Sequence, residues 1–166
     1  MLQPESIAKT YYDTPIGTAE ITASEQGITS VKLVDFPTYE INPTQDFLLE
    51  AIEQMDEYFQ GKRTHFTVFL DLQGTSFQNR VWRQLREIPL GQTMTYLEVA
   101  KHIESPDAVR AVGSACGRNQ HWLLVPCHRV IGSDGKLTGY AGGLSRKRWL
   151  LDHEWGMLHG KQATLF

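Results

Sequence analysis

Only two cysteines, Cys116 and Cys127, occur in 166 residues. Two closely spaced thiols do not make a secreted disulfide framework, and their scarcity favours a reducing compartment. A disulfide between them stays open as an alternative. Residues 1–75 contain no cysteine and a single histidine, His65, so that half lacks the usual ligands of a structural zinc site. No apolar run is long enough to cross a bilayer, and the opening MLQPESIAKT has no basic stretch followed by an apolar one. The expectation is a cytoplasmic protein without a membrane role. Repeats and low-complexity tracts are also missing.

Basic residues are scarce in the first half. Residues 1–75 hold four Lys and Arg against twelve Asp and Glu, a balance of −8, whereas residues 76–166 hold twelve against seven, a balance of +5. Such asymmetry suggests a polyanion meeting the second half, although a solvated surface is the commoner reason for a modest excess. With 41% hydrophobic and 21% charged residues the composition is that of a folded protein, with one good core or two small ones.

The pattern predicts an α+β chain with an N-terminal domain over 1–74 and a C-terminal domain over 75–166. Residues 6–12, 18–24 and 28–34 read as three strands of an antiparallel meander, rich in Ile, Val, Thr and Tyr. Phe47, Leu48, Ala51, Ile52, Met55, Tyr58 and Phe59 recur at helical spacing, with Gly61 as the stop. The apolar stretch 66–70 is a candidate further strand, and 71–74 a linker.

The second half reads as mainly helical. Thr75 or Ser76 caps a helix bearing Phe77, Val81, Leu85 and Ile88, closed by Pro89 and Gly91. Thr95 opens a short helix, and Ser105-Pro106-Asp107 is expected to start another. Two short helices joined by a tight turn have the shape of a helix-turn-helix. The latter helix carries small residues, Val109, Ala111 and Gly113 among them, which fit close helix packing first and nucleic-acid approach second. Trp122–Val125 reads as a strand stopped by Pro126, and a last helix is expected from about Ser145. Trp149, Leu150 and Leu151 should face inward there, with Arg146, Lys147 and Arg148 charging its first turn, where a bound phosphate would be favoured.

Cys127 and His128 are adjacent just beyond that run. A thiol near pKa ~8.5 is mostly protonated at neutral pH and needs a base to become a nucleophile. Neighbouring side chains often point apart, so a relay through one water would suit His128 better than direct contact. Glu154 or Asp152 on the last helix is placed to orient the imidazole. Residue types alone leave Cys127 open between an acceptor and a buried structural thiol.

The string Pro126-Cys127-His128-Arg129-Val130 resembles the PCHRV active-site motif of the O6-alkylguanine-DNA alkyltransferases, with matching spacings over about residues 75–155. The resemblance implies a ribonuclease H-like N-terminal domain and a winged helix-turn-helix C-terminal domain. It implies Cys127 as alkyl acceptor, His128 as base through a water, Glu154 as the residue holding His128, and Asn119 as the brace of the active-site turn. Tyr96 would press on the target nucleotide and donate to the extruded base, and Arg110 would fill the gap left in the base stack. Val109, Ala111 and Gly113 would permit minor-groove approach, while Tyr140 and the Ala141 backbone N–H would wall the base pocket.

What the resemblance implies for function is stoichiometric repair of O6-alkylguanine, and of O4-alkylthymine, in duplex DNA after base flipping. The expected protein is a monomer needing no metal or cofactor. Gln120 departs from the proline that some relatives carry, and Trp122 stands where pockets often have a smaller residue; a core role for Trp122 is the first reading. Cys116 and His121 receive no role. Competing readings are a lesion-binding module without chemistry, a cysteine hydrolase, and a zinc site of Cys116, His121, Cys127 and His128 that follows no paired-ligand spacing.

Overall fold

A computed structural model describes residues 7–37, 45–140 and 142–160. Two compact units divide the chain, Met1–Gln73 with Gln120–Trp122, and Gly74–Asn119 with Leu123–Phe166.

The first unit is an antiparallel meander in the order β1 (Ala8–Thr14), β2 (Gly17–Ser24) and β3 (Gly27–Val34). Burial alternates along the strands, with Ala8 and Thr10 of β1 and Ala19, Ile21 and Ala23 of β2 inward. That period of two gives the sheet one apolar face. Helix α1 (Asp46–Phe59) packs on all three strands and buries Leu48, Ala51, Met55 and Tyr58. Gln45 caps it by accepting from the Leu48 N–H, and Gly61 beyond its end has a φ of +78°. Gly27 opens β3 at a φ of +148°, where a Cβ would stand 2.5 Å from the Phe69 carbonyl oxygen. No other residue fits there without moving the backbone.

Residues 66–70 do not form the expected strand; they make a single parallel bridge, Ile28 to Leu70. The reason is Gln54, a buried polar residue of α1 whose side-chain oxygen accepts from the N–H groups of Thr67 and Val68 at 2.9 and 3.3 Å. A side chain thus satisfies backbone groups that a strand would pair with another strand. The chain also returns to β3 much later. Val31 donates to the Gln120 carbonyl at 2.8 Å, Trp122 donates to Val31 at 3.1 Å, and His121 Nε2 lies 2.7 Å from the Ile28 carbonyl. With 69–71 and 120–122 bound to it, the β3 edge is covered.

Trp122 belongs to this unit. It is 7% exposed and stacks on Phe59 at a centroid distance of 6.5 Å, which agrees with its reading as a core residue. The strand expected over Trp122–Val125 is absent. These residues are buried but turn, Leu123 at a φ of +72°, so that Val125 accepts from the Cys127 N–H at 2.8 Å.

The second unit begins with α2 (Ser76–Leu85), capped by Thr75 in a reciprocal box with Gln78. Val81, Trp82 and Leu85 are buried, and Trp82 Nε1 donates to the Ala115 carbonyl at 2.9 Å. The helix stops at Leu85, ahead of the expected Pro89. A second capping box, Thr95 with Glu98, starts α3 (Tyr96–His102). α4 (Val109–Gly117) begins later than expected, at Ala108 and without a side-chain cap. Ser105-Pro106-Asp107 instead forms a turn closed by Ala108 N–H to Ser105 carbonyl at 2.9 Å. Serine first and proline second suit a type I turn as well as they suit a helix start.

β4 (Met94–Thr95) pairs in parallel with β5 (Val130–Ile131), and α5 (Leu144–His159) closes the chain. Lys147, Leu150, Leu151 and Glu154 are its buried residues. The expectation that Lys147 charges the surface is therefore corrected. It sits three, four and seven residues before the others, on the inward face, and its ammonium donates to the carbonyls of Val130 at 2.6 Å and Thr138 at 2.9 Å. Trp149 is only half-buried.

Candidate active site

Cys127, His128 and Arg129 form one 3-10 turn directly after Pro126, within the second unit. All three are buried, and Cys127 is 5% exposed. The turn hangs on Val125, whose carbonyl accepts both the Cys127 N–H at 2.8 Å and Asn119 Nδ2 at 2.9 Å. Asn119 follows the end of α4, so a short side chain at a helix terminus fixes the turn that holds the thiol.

His128 Nε2 lies 2.5 Å from Glu154 Oε1, with both side chains fully buried. The same carboxylate takes a fork from Arg129, whose Nε donates to Oε2 and whose NH2 nitrogen donates to Oε1, each at 2.9 Å. Arg129 completes its bonding by donating to the Ile88 carbonyl at 2.7 Å. Burial alone would raise the Glu154 pKa, but His128 and Arg129 outweigh it and hold the carboxyl far below the usual range. Burial pushes His128 the other way from Glu154: the imidazole pKa falls below its ordinary value although the carboxylate draws it up. The imidazole is therefore neutral at pH 7. An ionised carboxylate only accepts, so Nε2 carries the hydrogen and Nδ1 keeps its lone pair. Nδ1 is buried and has no hydrogen-bond partner among the described residues.

Cys127 rests as a thiol. Burial raises its pKa well above the ordinary value, and contact with the Cys116 thiol adds to this, while the Asn119 hydrogen bond and the Lys147 charge lower it. A base is consequently required for it to react. Lys147 is itself pushed down by burial and drawn up by the two cysteines.

The remaining expected residues fall into three places. Tyr96 opens α3, half-buried, with its hydroxyl 3.4 Å from the Thr138 carbonyl, and a Cβ on Gly113 would lie 3.9 Å from its ring. Burial raises the Tyr96 pKa, so the phenol stays a donor. Arg110 and Ala111 are exposed in the first turn of α4, with Val109 half-buried beside them. Tyr140 lies half-buried in the loop before α5, whereas Ala141 falls outside the described residues. Asp152, the alternative partner for His128, instead lies 3.9 Å from Arg148. Sequence reasoning assigned no role to Arg129 and placed Lys147 outward; the α5 spacing carried the signal for Lys147. Among the described residues no cluster of His, Cys, Asp or Glu is fit to hold a metal ion, and no helix is long and apolar enough to cross a membrane.

Known proteins resemble this chain in sequence and in fold. Residues 76–156 match the family described as the DNA binding domain of 6-O-methylguanine DNA methyltransferase, and residues 7–72 match its ribonuclease-like domain. A methylated-DNA–protein-cysteine methyltransferase of Mycolicibacterium paratuberculosis is 47% identical over 144 residues, which cover 84% of this chain and 87% of the relative. The crystal structure of Mycobacterium tuberculosis O6-methylguanine methyltransferase superposes with a TM-score of 0.82 at 43% identity, covering 92% of this chain and 94% of that one. The structure of Mycobacterium tuberculosis OGT in complex with DNA gives a TM-score of 0.81 at 43% identity, covering 90% and 94%. The chain belongs to the O6-methylguanine-DNA methyltransferase family.

Proposed function

We propose that this protein repairs O6-alkylguanine in duplex DNA by moving the alkyl group to Cys127, each molecule acting once. The single observation that carries the mechanism is the buried His128 with Nε2 given to Glu154 and Nδ1 left as a lone pair. A buried nitrogen of that kind calls for a donor, and a water bridging Nδ1 to the Cys127 thiol supplies one. Through that water His128 removes the thiol proton, and Glu154 stabilises the imidazolium so formed.

The alkyl carbon lies inside the duplex, so the base is flipped out at a cost of a few kcal/mol. Arg110, exposed at the start of α4, fills the stack and offsets part of it, while Val109, Ala111 and Gly113 let the helix approach the minor groove. The thiolate sulfur then attacks the alkyl carbon as the bond from carbon to guanine O6 breaks. The electron pair stays on the guanine, which takes up a proton. Tyr96, kept protonated, donates to the extruded base, and the loop holding Tyr140 and the Ala141 N–H lines the pocket. A thioether is a poor leaving group, and repair ends there without metal or cofactor.

The same pocket chemistry extends to O4-alkylthymine, and one lesion needs one thiol, so the working form is a monomer; free buried thiols suit the reducing cytoplasm. The test is to count guanines restored in a methylated duplex against protein added. One guanine per molecule supports the proposal; many per molecule refute it, and so does tight binding with none restored.

A further inference from the structure

Lys147 is buried on α5 and passes no proton in the relay of Cys127, His128 and Glu154. Its ammonium donates to the Val130 carbonyl at 2.6 Å and to the Thr138 carbonyl at 2.9 Å. Those carbonyls stand at the two ends of one loop. Val130 opens β5 directly after the turn that holds the thiol, and Thr138 lies two residues before Tyr140. Between them, Gly132 N–H donates to the Lys136 carbonyl and Lys136 N–H to Asp134 Oδ1, each at 3.0 Å. A single side chain therefore staples the loop across its base. An apolar residue would fill the inward face of α5 beside Leu150 and Leu151 without desolvating a charge. What the ammonium adds is a fixed position for two carbonyls.

The Thr138 carbonyl has a second donor, the Tyr96 hydroxyl, at 3.4 Å. That is long for a hydroxyl, whose bonds are usually about 2.7–2.8 Å. The bond from the charged ammonium is the shorter and the stronger of the two. Tyr96 can therefore leave without stranding the carbonyl.

We propose that Lys147 is a positioning residue of the base pocket, which satisfies the Thr138 carbonyl and so frees the Tyr96 hydroxyl to turn to the extruded base. The inference rests on the reading of Tyr96 as donor to that base. Without the ammonium, the Thr138 carbonyl holds on to Tyr96, and the base must compete for one hydroxyl. The loop leading to Tyr140 also loses its staple. Lys147 makes and breaks no bond of the substrate, so its loss is felt in how tightly the base is held.

The experiment follows methyl uptake from free O6-methylguanine, over a range of concentrations, by the full-length parent, Tyr96→Phe, Lys147→Met and the double variant. The half-saturating concentration reads base binding, and the limiting rate reads the thiol. Each single substitution is expected to raise the half-saturating concentration about fivefold, the effect of one hydrogen bond. Both act through the same hydroxyl, so the double variant should stay near about fivefold instead of reaching about twenty-fivefold. A packing role for Lys147 would be independent of Tyr96, and the two factors would multiply. Multiplied factors overturn the inference, and so does a Lys147→Met variant altered in limiting rate alone. Lys147→Ala, which presses no apolar tip against the carbonyls, is carried through the same cycle in case the methionine variant fails to fold. A parent that takes up methyl while the factors multiply removes this inference alone. A parent that takes up none, from base or from duplex, removes the proposed function with it.

Discussion

Glu154 binds His128 and Arg129 through one carboxylate, taking Nε2 of the histidine at 2.5 Å and two nitrogens of the arginine at 2.9 Å, all of it buried. A single acid therefore orients the imidazole and neutralises the cation beside it. Removing one partner of a buried ionic cluster leaves an uncompensated charge, which typically destabilises by about 3–5 kcal/mol. Glu154→Gln should lose about that much in urea unfolding and transfer alkyl groups at least about a hundredfold more slowly. A variant as stable and as fast as the parent would show that the cluster is ornamental.

Acid should unfold the parent through the same residues. Glu154 ionises far lower in the fold than its unfolded value of about 4.3, so the stability it gives is complete above that value and is lost progressively as pH falls below it toward the lower folded value. His128, pushed down by burial, is neutral in the fold, while the unfolded chain binds a proton below about 6.5. Both signs agree. Thermal midpoints should fall below about pH 6.5 as the unfolded chain protonates His128, and fall further below about pH 4, where Glu154→Gln should lose the second fall and keep the first. A flat profile in the parent would contradict the assignment.

Lys147 and Arg148 are neighbours with opposite fates, one donating to two carbonyls inside the protein and the other more than half exposed. Lys147→Met keeps the apolar stem but orphans the carbonyls of Val130 and Thr138. It should destabilise by about 1–3 kcal/mol and slow transfer by removing a charge that lowers the Cys127 pKa. Arg148→Ala should stay within about 0.5 kcal/mol of the parent. Equal effects from the two substitutions would place Lys147 back on the surface.

Trp122 stacks on Phe59 in the first unit. Trp122→Ala is expected to destabilise by about 3–5 kcal/mol while leaving the ratio of benzyl to methyl transfer unchanged. A large rise in that ratio would make Trp122 a pocket residue.

Arg110 is exposed on α4, and the proposed function gives it a part separate from the proton relay. Arg110→Ala should slow transfer from a methylated duplex about tenfold or more, and leave reaction with the free base O6-methylguanine unaltered, since no flipping is then needed. Loss of both reactions together would contradict a stacking role.

Much of this was legible locally. The meander, α1 and the caps at Thr75 and Thr95 follow from neighbours a few residues away, and the structure places them within a few positions of the reading. The PCHRV string located the thiol, and the contact of His128 with Glu154 settles which acid faces the imidazole. What sequence missed depends on distant partners. Residues 66–70 lost their strand to the side chain of Gln54, and 120–122 returned to pair with β3. Ser105-Pro106-Asp107 served a turn where its residue types serve a cap equally well. Lys147 was legible in principle, since it shares a helix face with Leu150, Leu151 and Glu154, but its charge argued for the surface.

Alkyl transfer to Cys127 is tested by weighing the intact protein after incubation with a duplex carrying one O6-methylguanine. One added methyl is expected, located on Cys127 by peptide mapping, and none in Cys127→Ser despite retained DNA binding. A methyl found on any other residue, or repair of the lesion by Cys127→Ser at the parent's rate, would contradict it.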